Sequence, residues 1–220
     1  MKIDRREALR YLGIREPDEE ALARAEETAG ELEHRLRPRY LYRALALEIR
    51  PEGVYFPAAG LLLPGRLARD MLADCGQAVL LACTLGAEFD RLLKNAQARG
   101  MARAVLLDAC GSAYVEAGCD EAEKEIAARH PGLYLTDRFS PGYGDLPLET
   151  QPALLRALDA EKRLGVYATE SCLINPMKTV TAAIGLSARP QAAKIRGCAV
   201  CGLRETCAYR KRGVTCVSSV

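Results

Sequence analysis

The chain has 220 residues, 49% of them hydrophobic and 27% charged, which is typical of a globular protein that buries a substantial core. Its 31 basic and 29 acidic residues leave a net charge of +2, and no run of Lys and Arg is long enough to neutralise a stretch of phosphates. No segment approaches the roughly 20 apolar residues that span a bilayer, and the N-terminus lacks an apolar run of signal-peptide length. We therefore expect a cytoplasmic protein with neither a nucleic-acid nor a membrane partner.

The N-terminal third predicts helices and a hairpin. Asp4 can cap a short helix, and Asp18 can cap a longer amphipathic one that stops at Pro38. The stretch "YRALALEIRPEGVYFP" favours two strands joined by a turn over residues 51–53, and a helix over about residues 64–72 follows. Helices and strands therefore alternate from the start of the chain.

The middle of the chain predicts a buried strand and two helices. The nearly continuous apolar run "AVLLACTLG" favours a buried strand that feeds a helix beginning near Ala87. The longest helical stretch covers Met101–Arg129, and its first half is rich in small residues, so we predict a central buried helix that another backbone approaches closely. Asp108 and Glu116 lie near one face of this helix, inside the part that resembles core, where buried carboxylates need partners.

The last part of the sequence predicts a short helix from about Pro152 and then three short stretches, "GVYATES", "CLINP" and "MKTVTAAIGL". In the third stretch apolar and polar residues alternate, which predicts a half-buried strand. Mixed helices and strands indicate an α+β fold. We predict one domain over residues 1–190, with N-terminal helices and a hairpin in 1–75 and a core in 76–190, followed by a cysteine-rich tail over 191–220.

The least regular segment is "RFSPGYGDLPLETQ", residues 138–151, whose prolines and glycines fit neither a helix nor an ordinary strand. Pro141 pushes Ser140 towards an extended conformation. Gly142 and Gly144 permit backbone angles closed to other residues and let a ligand approach the main chain. The segment therefore predicts a loop that presents backbone groups.

Two side chains of this loop suit a ligand. Arg138 offers a planar fork of donors for a carboxylate or phosphate, and Tyr143 offers an aromatic face and a hydroxyl. The residues alone leave open a second interpretation, a rigid turn whose arginine pairs with a structural acid such as Asp145 or Glu149.

Two motifs carry a resemblance to a known family. "RFSPGYGDLP", followed after a short helix by "ATESCLINPMKTVTAAIG", resembles the activation domain of cobalamin-dependent methionine synthase in its short, free-standing form. The family pattern is an Arg-x-x-Pro-Gly-Tyr loop, then Thr-Glu-Ser, a proline and a Ser/Thr-Val-Ser/Thr strand. The match covers roughly residues 78–186. It implies an α+β domain with a twisted antiparallel sheet, in mixed strand order, flanked by helices.

The resemblance also implies a function. Such a protein binds S-adenosylmethionine and serves a separate cobalamin enzyme whose cobalt has been oxidised to the inactive Co(II) state. An electron and the methyl group of S-adenosylmethionine together restore methylcobalamin, so the chain would be an accessory protein and not a complete methionine synthase. Its partners would be a cobalamin-binding methyltransferase and an electron donor such as flavodoxin or ferredoxin. The cofactors supply the chemistry, so no residue of this chain is expected to act as a catalytic acid or base.

The resemblance assigns cofactor contacts residue by residue. Arg138 would hold S-adenosylmethionine through its carboxylate, and the adjoining loop would form a backbone cradle. A carboxylate on the long helix would receive the amino group or lie near the sulfonium. The implied cofactor-binding residues are Glu116, Arg138, Ser140, Pro141, Gly142 and Tyr143. The family also has a tyrosine pair after the Thr-Glu-Ser strand, and no such pair is present here.

The tail suggests a metal. Four of the nine cysteines follow the spacing C-x2-C-x5-C-x8-C, namely Cys198, Cys201, Cys207 and Cys216. Four close thiolates can hold one zinc ion or one iron–sulfur cluster, although the longer gaps match neither a ferredoxin nor a zinc ribbon. Zinc, an iron–sulfur cluster, and unligated or reversibly paired thiols all remain open. The alternative function is an iron–sulfur or zinc module that acts as electron-transfer or structural partner of a corrinoid protein without binding S-adenosylmethionine.

The other five cysteines lie among apolar or small residues, where a free thiol usually packs as a small hydrophobe. We predict a packing role for Cys75, Cys83, Cys110, Cys119 and Cys172.

Overall fold

A computed structural model describes residues 1–14, 16–192 and 205–206 of the chain. The helices of this part are α1 (Arg5–Tyr11), α2 (Glu19–Arg35), α3 (Arg66–Leu72), α4 (Ala87–Arg99), α5 (Met101–Arg129), α6 (Gln151–Leu158) and α7 (Ala160–Leu164). Its strands are β1 (Arg39–Ala46), β2 (Glu48–Arg50), β3 (Gly53–Phe56), β4 (Leu61–Pro64), β5 (Cys75–Thr84), β6 (Tyr134–Leu135), β7 (Tyr167–Ala168), β8 (Ile174–Asn175) and β9 (Thr179–Ser187). None of these helices combines the length and the apolar character needed to cross a bilayer.

The main sheet has four strands in the order β1-β5-β9-β6, and every neighbouring pair is antiparallel. One face carries α1, α2, α4 and α5, and the other carries α3, α6, α7 and the small antiparallel sheet β2-β3-β4. Two hydrophobic cores therefore lie on opposite faces of one sheet. This architecture confirms the expected α+β fold with an antiparallel sheet, in mixed strand order, flanked by helices.

The strand β9 differs from its prediction. Every residue from Thr181 to Ser187 is buried, so the expected half-buried alternation is wrong. The reason is its place in the sheet, because β9 lies between β5 and β6 and helices cover both of its faces. Strands covered on both faces lose the polar alternation.

The predicted N-terminal hairpin is only partly correct. Its first strand is divided at Leu47: β1 pairs along its whole length with β5, and the hairpin joins only β2 and β3. The turn covers residues 51–52, one residue fewer than predicted, since Arg50 pairs with Gly53 as the first residue of β3. The following strand β4 was not predicted, and because Pro64 belongs to it, the helix after it begins at Arg66.

The long helix α5 has the predicted bounds, Met101–Arg129, and its small residues permit close contacts. A methyl group added at Gly118 would lie 2.5 Å from Pro38 Cβ and 2.7 Å from Cys83 Sγ. One added at Gly111 would lie 2.3 Å from the ring of Phe89. Neighbouring segments therefore pack directly against the α5 backbone, as the sequence predicted.

A buried carboxylate ties the N-terminus to α2. Glu33 is 7% exposed and accepts hydrogen bonds from the Ile3 N–H at 2.7 Å, the Lys2 ammonium at 2.9 Å and Arg5 Nη1 at 3.1 Å. Burial alone would raise the pKa of Glu33, but the Ile3 N–H and the Lys2 and Arg5 charges together lower it. The ionised form is therefore favoured in the folded protein.

Replacing Glu33 with glutamine should lower the free energy of unfolding by about 1–3 kcal/mol at pH 7, because hydrogen bonds to a charged acceptor are replaced by neutral ones. A lowered folded-state pKa stabilises the protein above the ordinary value of 4.5, and that contribution disappears as the pH falls through the folded-state pKa. Urea unfolding of wild type and variant should therefore converge at acid pH. Glu26→Gln is the matched control, since Glu26 also binds Arg5 but is 66% exposed. An equal loss for both variants would contradict the anchoring role of Glu33.

Candidate functional site

The site begins where the chain leaves β6 and continues along the edge of β9. The Thr136 N–H donates to the Gly185 carbonyl at 3.1 Å, and Phe139 exchanges two backbone hydrogen bonds with Ala183, at 2.8 and 3.1 Å. Successive residues of an extended segment face opposite sides of a sheet. Phe139 therefore enters the core beside α6, and Arg138 points towards α5.

Arg138 is surrounded by acids of α5. Its side chain is 4% exposed; Nη1 lies 2.8 Å from Asp120 and 2.5 Å from Glu123, and Nη2 contacts Glu116. The three acids follow one another at spacings of four and three residues, which places them on one face of the helix. The side chains of Glu116, Asp120 and Glu123 are 36%, 48% and 22% exposed, respectively. The three acids are therefore open to solvent, whereas the arginine is not.

The charges of this cluster do not cancel. Three carboxylates and one guanidinium leave a net charge of −2, which suits a cationic ligand better than an anionic one. Burial alone would lower the pKa of Arg138, but Cys119 and the three carboxylates raise it above its ordinary value, so the guanidinium stays charged. Both terminal nitrogens already bind acids, and a ligand carboxylate would have to displace one of them.

A second cation lies on the same face of α5. Lys178 Nζ is 3.0 Å from Asp108 and 2.8 Å from Ser112, and its side chain is 15% exposed. The polar stripe of α5, which we define as Asp108, Ser112, Glu116, Asp120 and Glu123, thus carries Lys178 at its start and Arg138 at its end. Asp108 pairs with Lys178 and Glu116 pairs with Arg138, so both acids have the partners that we expected from the sequence. Neither acid is buried.

The loop over residues 140–146 closes on itself. The Gly142 N–H donates to the Leu146 carbonyl at 2.9 Å, and the Tyr143 N–H donates to the Ser140 carbonyl at 3.1 Å. Gly142 and Gly144 have φ values of +91° and +54°, which residues with side chains rarely adopt. Tyr143 is 54% exposed at the tip of the loop.

Asp145 has a structural role that differs from the one considered for it. Its carboxylate accepts hydrogen bonds from the N–H groups of Arg66, at 2.6 Å, and Leu67, at 2.8 Å, and thereby caps α3. These N–H groups hold the pKa of Asp145 below its ordinary value. Arg138 does pair with acids, as the second interpretation expected, but these are three acids of α5 and not Asp145 or Glu149.

The structure thus brings two of the six proposed cofactor contacts into direct contact, Glu116 and Arg138. Ser140, Pro141, Gly142 and Tyr143 lie two to five residues beyond Arg138 in the chain, and within the described residues no hydrogen bond or ion pair joins them to the Glu116–Arg138 pair. The roles of Asp120 and Glu123 were not predicted from the sequence. Their spacing from Glu116 could have indicated them, since residues four and seven positions along a helix share a face.

Four of the five scattered cysteines are buried as predicted, and the fifth, Cys172, is half-buried with a φ of +62°. The four proposed metal ligands, Cys198, Cys201, Cys207 and Cys216, lie outside the described residues. Among the described residues, no group of three or more His, Cys, Asp or Glu side chains is arranged to hold a metal ion.

Comparison with known proteins gives one informative result. No protein-family model and no curated protein sequence matches the chain. Among solved structures, the chain is similar to the crystal structure of the MetH reactivation domain bound to AdoHcy, with a TM-score of 0.61 and 16% sequence identity. The alignment covers 89% of this chain and 73% of that one. The chain therefore shares its fold with the MetH reactivation domain.

Proposed function

We propose that the chain binds S-adenosylmethionine at the Arg138 site and supports reductive remethylation of cobalamin on a separate corrinoid methyltransferase. The observation that carries this proposal is the direct contact of Glu116 with Arg138, which are 22 residues apart in sequence. The family resemblance implies both residues as cofactor contacts. The fold similarity to a domain whose structure contains AdoHcy gives independent support.

The residues have different roles in this proposal. Arg138 is a positioning residue, since its terminal nitrogens hold the carboxylates of Glu116, Asp120 and Glu123 in place. The Glu116 side chain is 36% exposed, and we propose that it contacts the ligand's amino group or sulfonium. The loop from Ser140 to Tyr143 would offer the ligand backbone carbonyls, since its Gly142 and Tyr143 N–H groups donate within the loop.

The reaction needs position more than it needs proton transfer. Methyl transfer breaks the bond between the sulfonium sulfur and its methyl carbon and leaves a neutral thioether, so no leaving group has to be protonated. The cobalamin of the partner, reduced by one electron from a donor such as flavodoxin or ferredoxin, supplies the electron pair that accepts the methyl group. This chain contributes binding and orientation of the methyl donor, and bringing the two reactants together can account for a large part of the rate.

Calorimetry should show S-adenosylmethionine binding about tenfold more tightly than S-adenosylhomocysteine. The sulfonium adds one positive charge next to a cluster of net charge −2, and partial exposure of the carboxylates reduces that attraction to about 1–1.5 kcal/mol. Glu116→Gln should remove most of this preference and weaken S-adenosylmethionine binding about tenfold.

The matched control is Glu121→Gln, because Glu121 lies on α5 outside the polar stripe and pairs only loosely, at 3.8 Å, with Lys124. It should leave both affinities unchanged. A wild-type protein that binds neither compound would contradict the proposed function. Equal binding by wild type and Glu116→Gln would exclude the role of Glu116.

The cysteine spacing in the sequence favours a second candidate function, a zinc or iron–sulfur module that serves a corrinoid protein. Protein purified without oxygen should then contain one zinc ion, or the iron and sulfide of one cluster, for each chain. A cluster would absorb broadly in the visible range, whereas a zinc protein would be colourless. Replacing Cys198 and Cys201 with serine should remove the metal. Metal-free wild-type protein would rule this function out.

A further inference from the structure

The segment that enters β9 carries Lys178 to the polar stripe of α5. The Met177 N–H donates to the Asp90 carboxylate at 3.2 Å, and the Lys178 carbonyl accepts a hydrogen bond from the Leu85 N–H at 2.9 Å. The Lys178 ammonium lies 5.9 Å from the centroid of the Phe89 ring, and the side chain is 15% exposed. Lys178 is therefore held in place by its surroundings, unlike a typical surface lysine.

The Lys178 ammonium has a donor left for a ligand. It lies 3.0 Å from the Asp108 carboxylate and donates to the Ser112 hydroxyl oxygen at 2.8 Å. The Ser112 hydroxyl donates in turn to the Asp108 carbonyl at 3.2 Å. An ammonium group has three N–H donors, and among the described residues these two oxygens are its only polar partners. The third N–H can therefore bind an acceptor that a ligand supplies.

This ammonium lies one helical turn from Glu116. Ser112 and Glu116 are four residues apart on α5, so their side chains are neighbours, with about 5–6 Å between the Cβ atoms. Lys178 binds Ser112 on one turn, and Arg138 binds Glu116 on the next. A cation with an unused donor and a partly exposed carboxylate thus lie on adjacent turns of one helix face. The pair is complementary to a ligand that carries a carboxylate and, a few bonds away, a cationic group.

We infer that Lys178 binds the carboxylate of S-adenosylmethionine, next to Glu116. Both terminal nitrogens of Arg138 already hold acids, so a carboxylate at Arg138 would have to displace one of them. A carboxylate at Lys178 displaces no partner, because it takes the third N–H. Lys178 would thereby determine that the amino-acid end of the methyl donor lies at the start of the polar stripe. The inference rests on the proposed function, since it names a further contact of the same site.

Decarboxylated S-adenosylmethionine provides the first test, because it differs only in lacking the carboxylate. Calorimetry on the wild-type protein should show S-adenosylmethionine binding about tenfold more tightly, the lower end of what a hydrogen bond between charged groups contributes. The stripe itself acts in the opposite direction, since its four carboxylates and two bound cations leave a net charge of −2, which favours the more cationic decarboxylated compound. Equal or tighter binding of the decarboxylated compound would overturn the inference.

Substitution of Lys178 provides the second test. Lys178→Met should weaken S-adenosylmethionine binding about tenfold and should not weaken binding of the decarboxylated compound, since only the former has a carboxylate to lose its partner. Lys178→Arg keeps the positive charge and should keep part of the preference for S-adenosylmethionine. Lys162→Met is the matched control, because Lys162 is exposed on α7, on the opposite face of the main sheet, and both affinities should stay unchanged.

The outcomes separate this inference from the proposed function. A wild-type protein that binds neither compound overturns both. Wild-type binding of S-adenosylmethionine with an unaffected Lys178→Met variant overturns only the carboxylate contact. Equal losses for the two compounds in Lys178→Met also overturn it, because they would show that the Lys178–Asp108 pair acts only by joining β9 to α5. If Lys178→Met does not fold, the comparison of the two compounds on the wild-type protein still decides.

Discussion

Replacing Gly118 with alanine should lower the free energy of unfolding by about 2 kcal/mol. The added methyl group would lie 2.5 Å from Pro38 Cβ and 2.7 Å from Cys83 Sγ, and neither neighbour is the end of a flexible side chain. Overpacking of a core typically costs about 1–3 kcal/mol, and the better helix propensity of alanine offsets up to about 1 kcal/mol of it. Urea unfolding measures the change, with an unaltered m-value as evidence that the fold is kept.

Gly30→Ala is the matched control because it makes the same substitution inside a helix with opposite surroundings. Gly30 lies in the exposed face of α2, and no atom lies within 4 Å of the position that its Cβ would take. Alanine there should raise the free energy of unfolding by about 0.5–1 kcal/mol. Two variants that change stability in the same direction would contradict the close packing of α5 against Pro38 and Cys83.

Replacing Arg138 with methionine should destabilise the protein by about 2–4 kcal/mol. Breaking a buried ion pair typically costs about 3–5 kcal/mol, and the remaining exposure of Glu116, Asp120 and Glu123 reduces that cost because water can solvate the unpaired acids. The same variant should lose S-adenosylmethionine binding, since nothing then holds the carboxylates together. Urea unfolding and calorimetry measure the two effects separately.

A second substitution tests whether the loss comes from unpaired acids. Glu123→Gln should destabilise the wild-type protein but should partly restore the stability of Arg138→Met, so that the two effects are not additive. Arg66→Met is the surface control, because the Arg66–Asp70 pair is 79% and 59% exposed and should contribute less than about 1 kcal/mol. Additive effects of the Arg138 and Glu123 changes would contradict the ion-pair cluster.

The predictable parts of the fold are those that depend on local sequence. The bounds of α5 follow from helix propensity and periodicity over 29 residues, and Gly118 marks a close contact by its size alone. The division of the first hairpin was not predictable in this way. The strand β1 pairs with β5, more than 30 residues away, and hydrophobic pattern does not identify the partner of a strand. The burial of β9 likewise depends on which elements cover its two faces.

The contacts of the candidate site were likewise not predictable from local sequence. Arg138 belongs to a motif that resembles the family's loop, and Glu116 falls in a helix that resembles one of the family's helices. The direct contact between them could not be derived from helix periodicity or loop composition. Asp120 and Glu123 lie in a stretch of charged residues that predicts a solvent-facing surface. Only the path of residues 136–139 along β9 turns a buried arginine towards them.

All three acids around Arg138 come from one uninterrupted helix, and this has a consequence for the thermodynamics of binding. A rigid helix fixes their backbone positions before any ligand arrives, so the site is largely preorganised. Little conformational entropy should then be lost when a ligand binds. Changes of ligand preference during evolution would accordingly be difficult to achieve on α5, where each carboxylate also contributes to the stability of the fold.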